Sequence, residues 1–218
     1  MIVLAIDGAL GSFSAAVSGD GRVAAARCES GSVALERGLG IVEAVLAEAR
    51  VAPRQIERLA VGIGPGGFTG LRIAIAYAKS LAAAWQRPLV PVDSFDLLEW
   101  GGAFDRVLAV VVGRPGVISA RYRGVPPTRR ASGRIDEVLD ALVPSVEGPL
   151  AVVGAPEDVL HALAERDIIV RPVNPAVIPA AAAAALAASS RVPPKSLHEV
   201  GADYGELPAA TPPKFSGL

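Results

Sequence analysis

Cysteine, histidine and methionine are almost missing from the 218 residues: one cysteine (Cys28), two histidines (His161 and His198) and one methionine. A single cysteine excludes an internal disulfide and fits a reducing compartment. Two histidines in separate segments, with no pair at helical spacing, do not make a metal centre. Cys28 lies in a strand-like run with no histidine nearby, which argues against a thiol nucleophile. Neither sign of charge is in excess. Lys plus Arg number 21 against 22 Asp plus Glu, a net charge of −1, so no overall field draws nucleic acid or anionic lipid. Hydrophobic residues make up 51%, yet no apolar run approaches the ~20 residues of a membrane span. The Ala180–Ala188 tract is too short and follows Pro179, so it reads as a buried helix. The opening Met1–Ile6 lacks a basic leader and meets Asp7 too soon for a signal peptide. A cytoplasmic chain without membrane contact is expected.

What is present is glycine, concentrated in Gly62-Ile63-Gly64-Pro65-Gly66-Gly67-Phe68-Thr69-Gly70-Leu71-Arg72, with five glycines in nine positions. The run follows the apolar Leu59-Ala60-Val61 and precedes a helical pattern opening at Thr69. Such a loop turns where a Cβ would clash, and amides at the following helix start favour an anion. The plain alternative is a tight β-to-α turn with no ligand. A P-loop is excluded because no lysine follows Gly67 or Gly70. Gly62, Gly64 and Gly67 match dinucleotide-loop spacing, but three strands and a helix precede them, whereas that motif opens its domain.

The pattern predicts strands Ile2–Ile6, Phe13–Val17 and Arg22–Ala26, then helix Ala34–Arg50. Strand Leu59–Val61, helix Thr69–Trp85, strand Leu89–Val92 and a short helix from Ser94 follow. The second half starts again with strands Val107–Val112 and Val117–Tyr122 and a third near Thr128. Helix Ile135–Val143, strand Leu150–Val153, helix Pro156–Arg166, strand Ile168–Val170 and helix Pro175–Ser190 complete it. Each half reads strand-strand-strand-helix-strand-helix-strand-helix. The expected fold is α/β: two ribonuclease-H-like domains of the actin-like ATPase superfamily, each a mixed sheet with flanking helices. Expected limits are residues 1–100, 101–191 and a Pro/Gly-rich tail over 192–218 that drapes over the surface or frays.

The string Gly64-Pro65-Gly66-Gly67-Phe68-Thr69-Gly70-Leu71-Arg72 resembles the signature of the TsaB family. So do Ile2–Asp7 with Ser12–Val17, and Ala78–Ala82 with Pro88–Ser94. The resemblance is strong over residues 1–99 and weak beyond. Gly8 and Ala9 replace the family's Thr-Ser after the first strand, and Val112-Gly113-Arg114 replaces its acidic-Ala-Arg stretch. The usual Tyr-Leu-Arg reads Tyr204-Gly205-Glu206, and a common histidine is replaced at Ala34. The resemblance implies a non-catalytic scaffold in the complex that makes threonylcarbamoyladenosine in tRNA. It implies binding to a catalytic TsaD-type subunit through the first two long helices, a TsaE-type ATPase partner, and tRNA contact only through the complex. No cofactor is expected. The alternative is a glycoprotease-like hydrolase or an actin-like ATPase with its own active site. A third reading is a structural protein whose homodimer is its final form.

Asp7, at the end of the first strand, resembles the phosphate-and-magnesium position of actin-like ATPases. With Gly8, Gly64, Gly66 and Gly67 it forms a vestigial phosphate-loop candidate; the plain reading is Asp7 capping its own turn. On the Thr69 helix, Arg72, Lys79 and Gln86 fall on one narrow stripe, and the rest is apolar or small. A surface helix normally keeps a broad polar face, so either a partner or the helix's own domain covers more than one side. The expected partner-binding set is Leu35, Leu39, Val42 and Leu46 of the first helix with Leu71, Ala74, Tyr77, Ala78 and Leu81 of the second. Gly70, Ala74, Ala78 and Ala82 would admit another helix closely, and Tyr77 would be an anchor. Arg121, Arg123, Arg129, Arg130 and Arg134 stand with no acid among them. They read as solvated surface or, more sharply, as a minor tRNA contact.

Overall fold

The computed structural model describes residues 1–31, 35–124, 128–143, 148–189 and 193–205. The first sheet holds β1 (Val3–Asp7), β2 (Ser12–Gly19), β3 (Arg22–Ser30), β4 (Arg58–Gly64) and β5 (Leu89–Asp93), of which all but the edge strand β3 are buried on both faces. Its order is β3-β2-β1-β4-β5, with β1 antiparallel to β2 and parallel to β4. The second sheet holds β6 (Val107–Arg114), β7 (Val117–Arg123), β8 (Arg129–Arg134), β9 (Leu150–Val153) and β10 (Val170–Val173). Its order, β10-β9-β6-β7-β8, repeats the first with the same strand directions. Both halves are ribonuclease-H-like, as the order of elements predicts.

Helices α1 (Gly38–Glu48) and α2 (Phe68–Trp85) cover one face of the first sheet, and α4 (Ile135–Leu142) and α5 (Glu157–Ala164) one face of the second. The period of two sorts side chains between layers. Leu4 and Ile6 of β1 join the α1–α2 core, while Val3 and Ala5 face the other way. Those opposite faces are covered by exchange. α6 (Pro179–Ala188), the last helix of the second half, packs on the first sheet, and α3 (Ser94–Glu99), the last of the first half, packs on β6. α6 is apolar all round and buried, as a helix between layers must be. Arg58 Nη1 donates to Ala187 O at 2.7 Å at its C-terminal end, and the Ala180 amide donates to Ser14 Oγ at 3.2 Å at its start.

Three predicted elements shift. The helix expected over Pro175–Ser190 begins at Pro179, with Ile178 extended before it. A proline presets the first turn and disfavours helix at the residue before it. The strand expected at Ile168–Val170 is β10, whose Pro172 is tolerated because β10 is an edge strand. The first helix starts at Gly38; Ala34 and Ser190 lie outside the described residues. The final segment does not fray over residues 193–205. Lys195 pairs with the edge of β5 at Leu89, and Val200 is 1% exposed in the first core. Thr211–Lys214 lie outside the described residues.

Candidate functional site

Asp7 ends β1 fully buried. Its Oδ2 accepts from the Ala9 amide at 3.2 Å, closing the turn, while Oδ1 has no protein partner. Gly62 is required here, because a Cβ on it would stand 1.9 Å from Oδ1. Burial pushes the Asp7 carboxyl up to about 7 against the pull of the Ala9 and Leu10 amides.

The other glycines are pressed against backbone. A Cβ on Gly66 would lie 2.2 Å from Ala9 O, one on Gly64 2.0 Å from Asp203 O, and one on Gly70 2.1 Å from Gly8 O. The Gly67 amide donates to Ala9 O at 2.8 Å. The loop therefore closes on the β1–β2 turn and the C-terminal segment. One loop amide, that of Gly67, is thus already engaged, and the raised Asp7 carboxyl disfavours the ionised form that a phosphate-bound metal needs. Among the described residues, two clefts lie between the lobes. One, of ~650 Å³, is lined by Leu10, Leu97, Val112, Val177 and similar groups, with Ser12 its only polar side chain; the other, of ~710 Å³, is polar, with Arg114, Arg130, Arg134 and Glu137 facing Pro65 and Asp203.

The arginine cluster serves the lobe interface. Arg121 Nε donates to Glu99 Oε1 at 3.0 Å and Arg121 Nη1 to Asp96 Oδ1 at 2.7 Å. Arg123 Nε donates to Glu99 Oε2 at 2.8 Å, and Arg130 Nη1 lies 2.8 Å from Asp93 Oδ2. The Phe95 ring has Arg121 at 5.3 Å and Arg130 at 5.2 Å. Arg129 instead donates to the Ala141 and Leu142 carbonyls at the end of α4. Arg121 is thus corrected from solvated surface to a buried pair, while Arg123 and Arg130 remain exposed and also meet the acids of α3 and its cap. The spacing Asp93, Asp96, Glu99 was the available signal, since residues three apart share a helix face.

Among the described residues, no group of three or more His, Cys, Asp or Glu is placed to hold a metal. His161 lies 3.3 Å from Glu165, both exposed, and Cys28 is exposed on edge strand β3.

The helices α1 and α2 present a different surface from the expected one. Leu71, Ala74 and Ala78 are wholly buried, and Val42 and Leu46 nearly so, all in their own domain's core. They are corrected from outward contact to core. Gly70 and Ala82 also point inward. Outward at spacing four lie Phe68, Arg72, Ala76, Ser80 and Ala84, with Ile73, Tyr77 and Leu81 half-buried beside them. Arg72 is the only charge in that outward row, with Lys79 half-buried beside it. From α1, Leu39 is 45% exposed; before it, Leu35 is half-buried at the rim of a ~330 Å³ groove it shares with Phe13 and Phe68. Tyr77 is a wedge between the helices. Its ring is T-shaped to Phe13 at 6.1 Å and fills the space a Cβ on Gly38 would need.

Sequence reasoning missed Phe68, 57% exposed, and the Tyr204 ring stacked on it at 5.1 Å and 30°. Phe68 stood inside the glycine string, but nothing local marks it as outward.

The family model described as TsaD, tRNA N6-adenosine threonylcarbamoyltransferase, matches residues 35–149. The chain is similar to the Escherichia coli (strain K12) tRNA threonylcarbamoyladenosine biosynthesis protein TsaB, 34% identical over 122 residues, which cover 54% of this chain and 53% of that protein. It is also similar to the tRNA N6-adenosine threonylcarbamoyltransferase of Magnetococcus marinus, 44% identical over 56 residues, covering 26% of this chain and 16% of that one. The chain thus spans about half the length of the first relative and far less of the second. Among solved structures, YeaZ from Pseudomonas aeruginosa superposes with a TM-score of 0.72 at 25% identity, covering 93% of this chain and 99% of that one.

Proposed function

The chain belongs to the TsaD-type family and, within it, to the TsaB group; from that premise we propose that it is a non-catalytic scaffold in the making of threonylcarbamoyladenosine in tRNA. Its partner is the catalytic TsaD-type subunit, with a TsaE-type ATPase joining the complex and tRNA bound through the complex. The observation that carries the reading is the outward row of α2, small or aromatic except for Arg72, flanked by Tyr77 and Leu39. A helix face with so little charge gains by being covered, and its alanines admit another helix closely. The similarity to a transferase over 56 residues supports a partner carrying related elements, so that two like patches can meet, as in a two-fold pair. Without that subunit, the same patch closes on a second copy.

The test is titration of the chain into the TsaD-type subunit by calorimetry. Tyr77 is a poor probe, since Tyr77→Arg would also disturb the α1–α2 contact. Ala76→Arg places a charge on the outward row without touching the core. It should weaken binding by about 30-fold or more, shift the isolated chain toward monomer in light scattering, and leave the melting temperature within a few degrees. Binding unchanged in Ala76→Arg and Leu39→Arg would move the interface elsewhere.

A further inference from the structure

The segment after α6 returns to the first lobe and is held at successive points. The Lys195 amide donates to Leu89 O at 2.9 Å, and the Ser196 hydroxyl donates to Glu199 Oε2 at 2.6 Å. Val200 is buried in the α1–α2 core, and the Asp203 amide donates to Ile63 O at 2.7 Å. Gly205 then passes close to Pro65 and to Ser119 of the second lobe. Between those fixed points Tyr204 stacks on Phe68, in the first turn of α2.

Phe68 is otherwise weakly placed. More than half exposed, it has Arg72 at 5.0 Å from its ring and a groove beside it walled by Phe13 and Leu35. An exposed phenylalanine in the first turn of a helix has many rotamer and solvent alternatives. A ring stacked on one side and capped by a guanidinium on another does not. Aromatic anchors bind best when their conformation is set beforehand.

We propose that residues 193–205 are a strap that presents Phe68 as an anchor of the docking face. Tyr204 is the positioning residue, and the occupant is an apolar side chain of the TsaD-type subunit seated between Phe68, Phe13 and Leu35. This rests on the reading of α2 as the docking surface. The groove is mainly apolar, with Ser12 and Thr69 its polar side chains, over a floor of glycine backbone that includes Gly8, Gly67 and Gly70, which suits a hydrocarbon or aromatic group. The strap ties this anchor to the end of β4 at Ile63 and passes close to Ser119 of the second lobe, so the anchor sits on a rigid base.

The experiment is a double-mutant cycle on the full chain, titrated into the TsaD-type subunit with melting followed in parallel. Phe68→Ala and Tyr204→Ala should each weaken binding about tenfold. Tyr204→Phe, which keeps the stacked ring, should bind within about twofold of the wild type. The double variant should bind no worse than Phe68→Ala alone, because Tyr204 acts through Phe68. Tyr204→Leu covers the case in which Tyr204→Ala melts early, since it keeps the packing bulk and removes the stack; it should still lose about tenfold. Wild-type affinity in Tyr204→Leu, or additive losses in the double variant, would overturn the strap and leave the docking surface standing. A wild-type chain that does not bind the subunit would overturn both.

Discussion

Arg121 of β7 and Glu99 of α3 meet at 3.0 Å across the lobe interface, and each is only 8% exposed. Glu99 also accepts from Arg123, so one carboxylate serves two strand-borne cations. Asp93, which caps α3 by accepting from the Phe95 amide at 2.8 Å, takes Arg130 in the same way. The lobes are therefore joined twice, by exchanged helices and by a charged bolt through Phe95.

Removing one partner of a buried pair costs about 3–5 kcal/mol where the other charge is left uncompensated; Asp96, 2.7 Å from Arg121, still pairs it without Glu99, so that range is an upper bound here. Glu99→Gln should cost less than Glu99→Ala because it keeps the shape. Glu99→Leu with Arg121→Leu should cost less than Glu99→Ala. Urea unfolding of the variants checks the order; equal cost for Gln and Ala would show that charge is not what matters there.

Asp7 predicts a pH dependence with a definite sign. Its folded pKa is raised from 3.8 to about 7, so between these values the folded chain holds a proton that the unfolded chain has lost. Stability from this group is thus highest below about pH 4, falls through the window and is flat above about pH 7. The integrated change is on the order of 4 kcal/mol. Asp7→Asn should lack this slope in a series of melts from pH 4 to 8. Parallel curves for the two proteins would show that Asp7 stays ionised in the fold.

Gly70 and Gly40 both stand in helices, and intrinsic propensity favours alanine at each by about 0.5–1 kcal/mol. Gly40→Ala has open space and should gain that amount. Gly70→Ala would push a Cβ into the Gly8 carbonyl and should lose about 1–3 kcal/mol or more. Opposite shifts in melting temperature are expected, and a gain at Gly70 would mean that the β1–β2 turn yields.

ATP with magnesium at millimolar concentration should leave the melting temperature of the isolated chain unchanged. A ligand that bound the fold would raise it by mass action, and the Gly67 amide of the loop is engaged with Ala9 O. A dose-dependent rise that vanishes in Asp7→Asn would restore the ATPase reading.

Element order and type were legible without coordinates, because strand alternation, glycine breaks and Pro179 are local signals. Even β8, foreshadowed only by Thr128, was near its place. The glycine string marked a tight approach correctly in kind. Whether that approach was to a phosphate or to Ala9 and Asp203 is a contact between segments distant in sequence, which no local pattern carries.

Sequence by itself determined the two-fold repeat of elements, the scarcity of histidine and cysteine, and an α2 with one narrow charged stripe. Tertiary structure decided which side of α2 faces out. Ala74 and Ala76 are equally small and apolar, and only packing on β1 and β4 sends the first inward and the second into solvent. It decided the fate of the arginines, since their acids lie on a helix about 25 residues upstream that crosses to the other lobe. It also set Tyr204 on Phe68. Long-range pairings of this kind depend on where the chain returns, and that is fixed by burying whole sheet faces rather than by any one residue's preference.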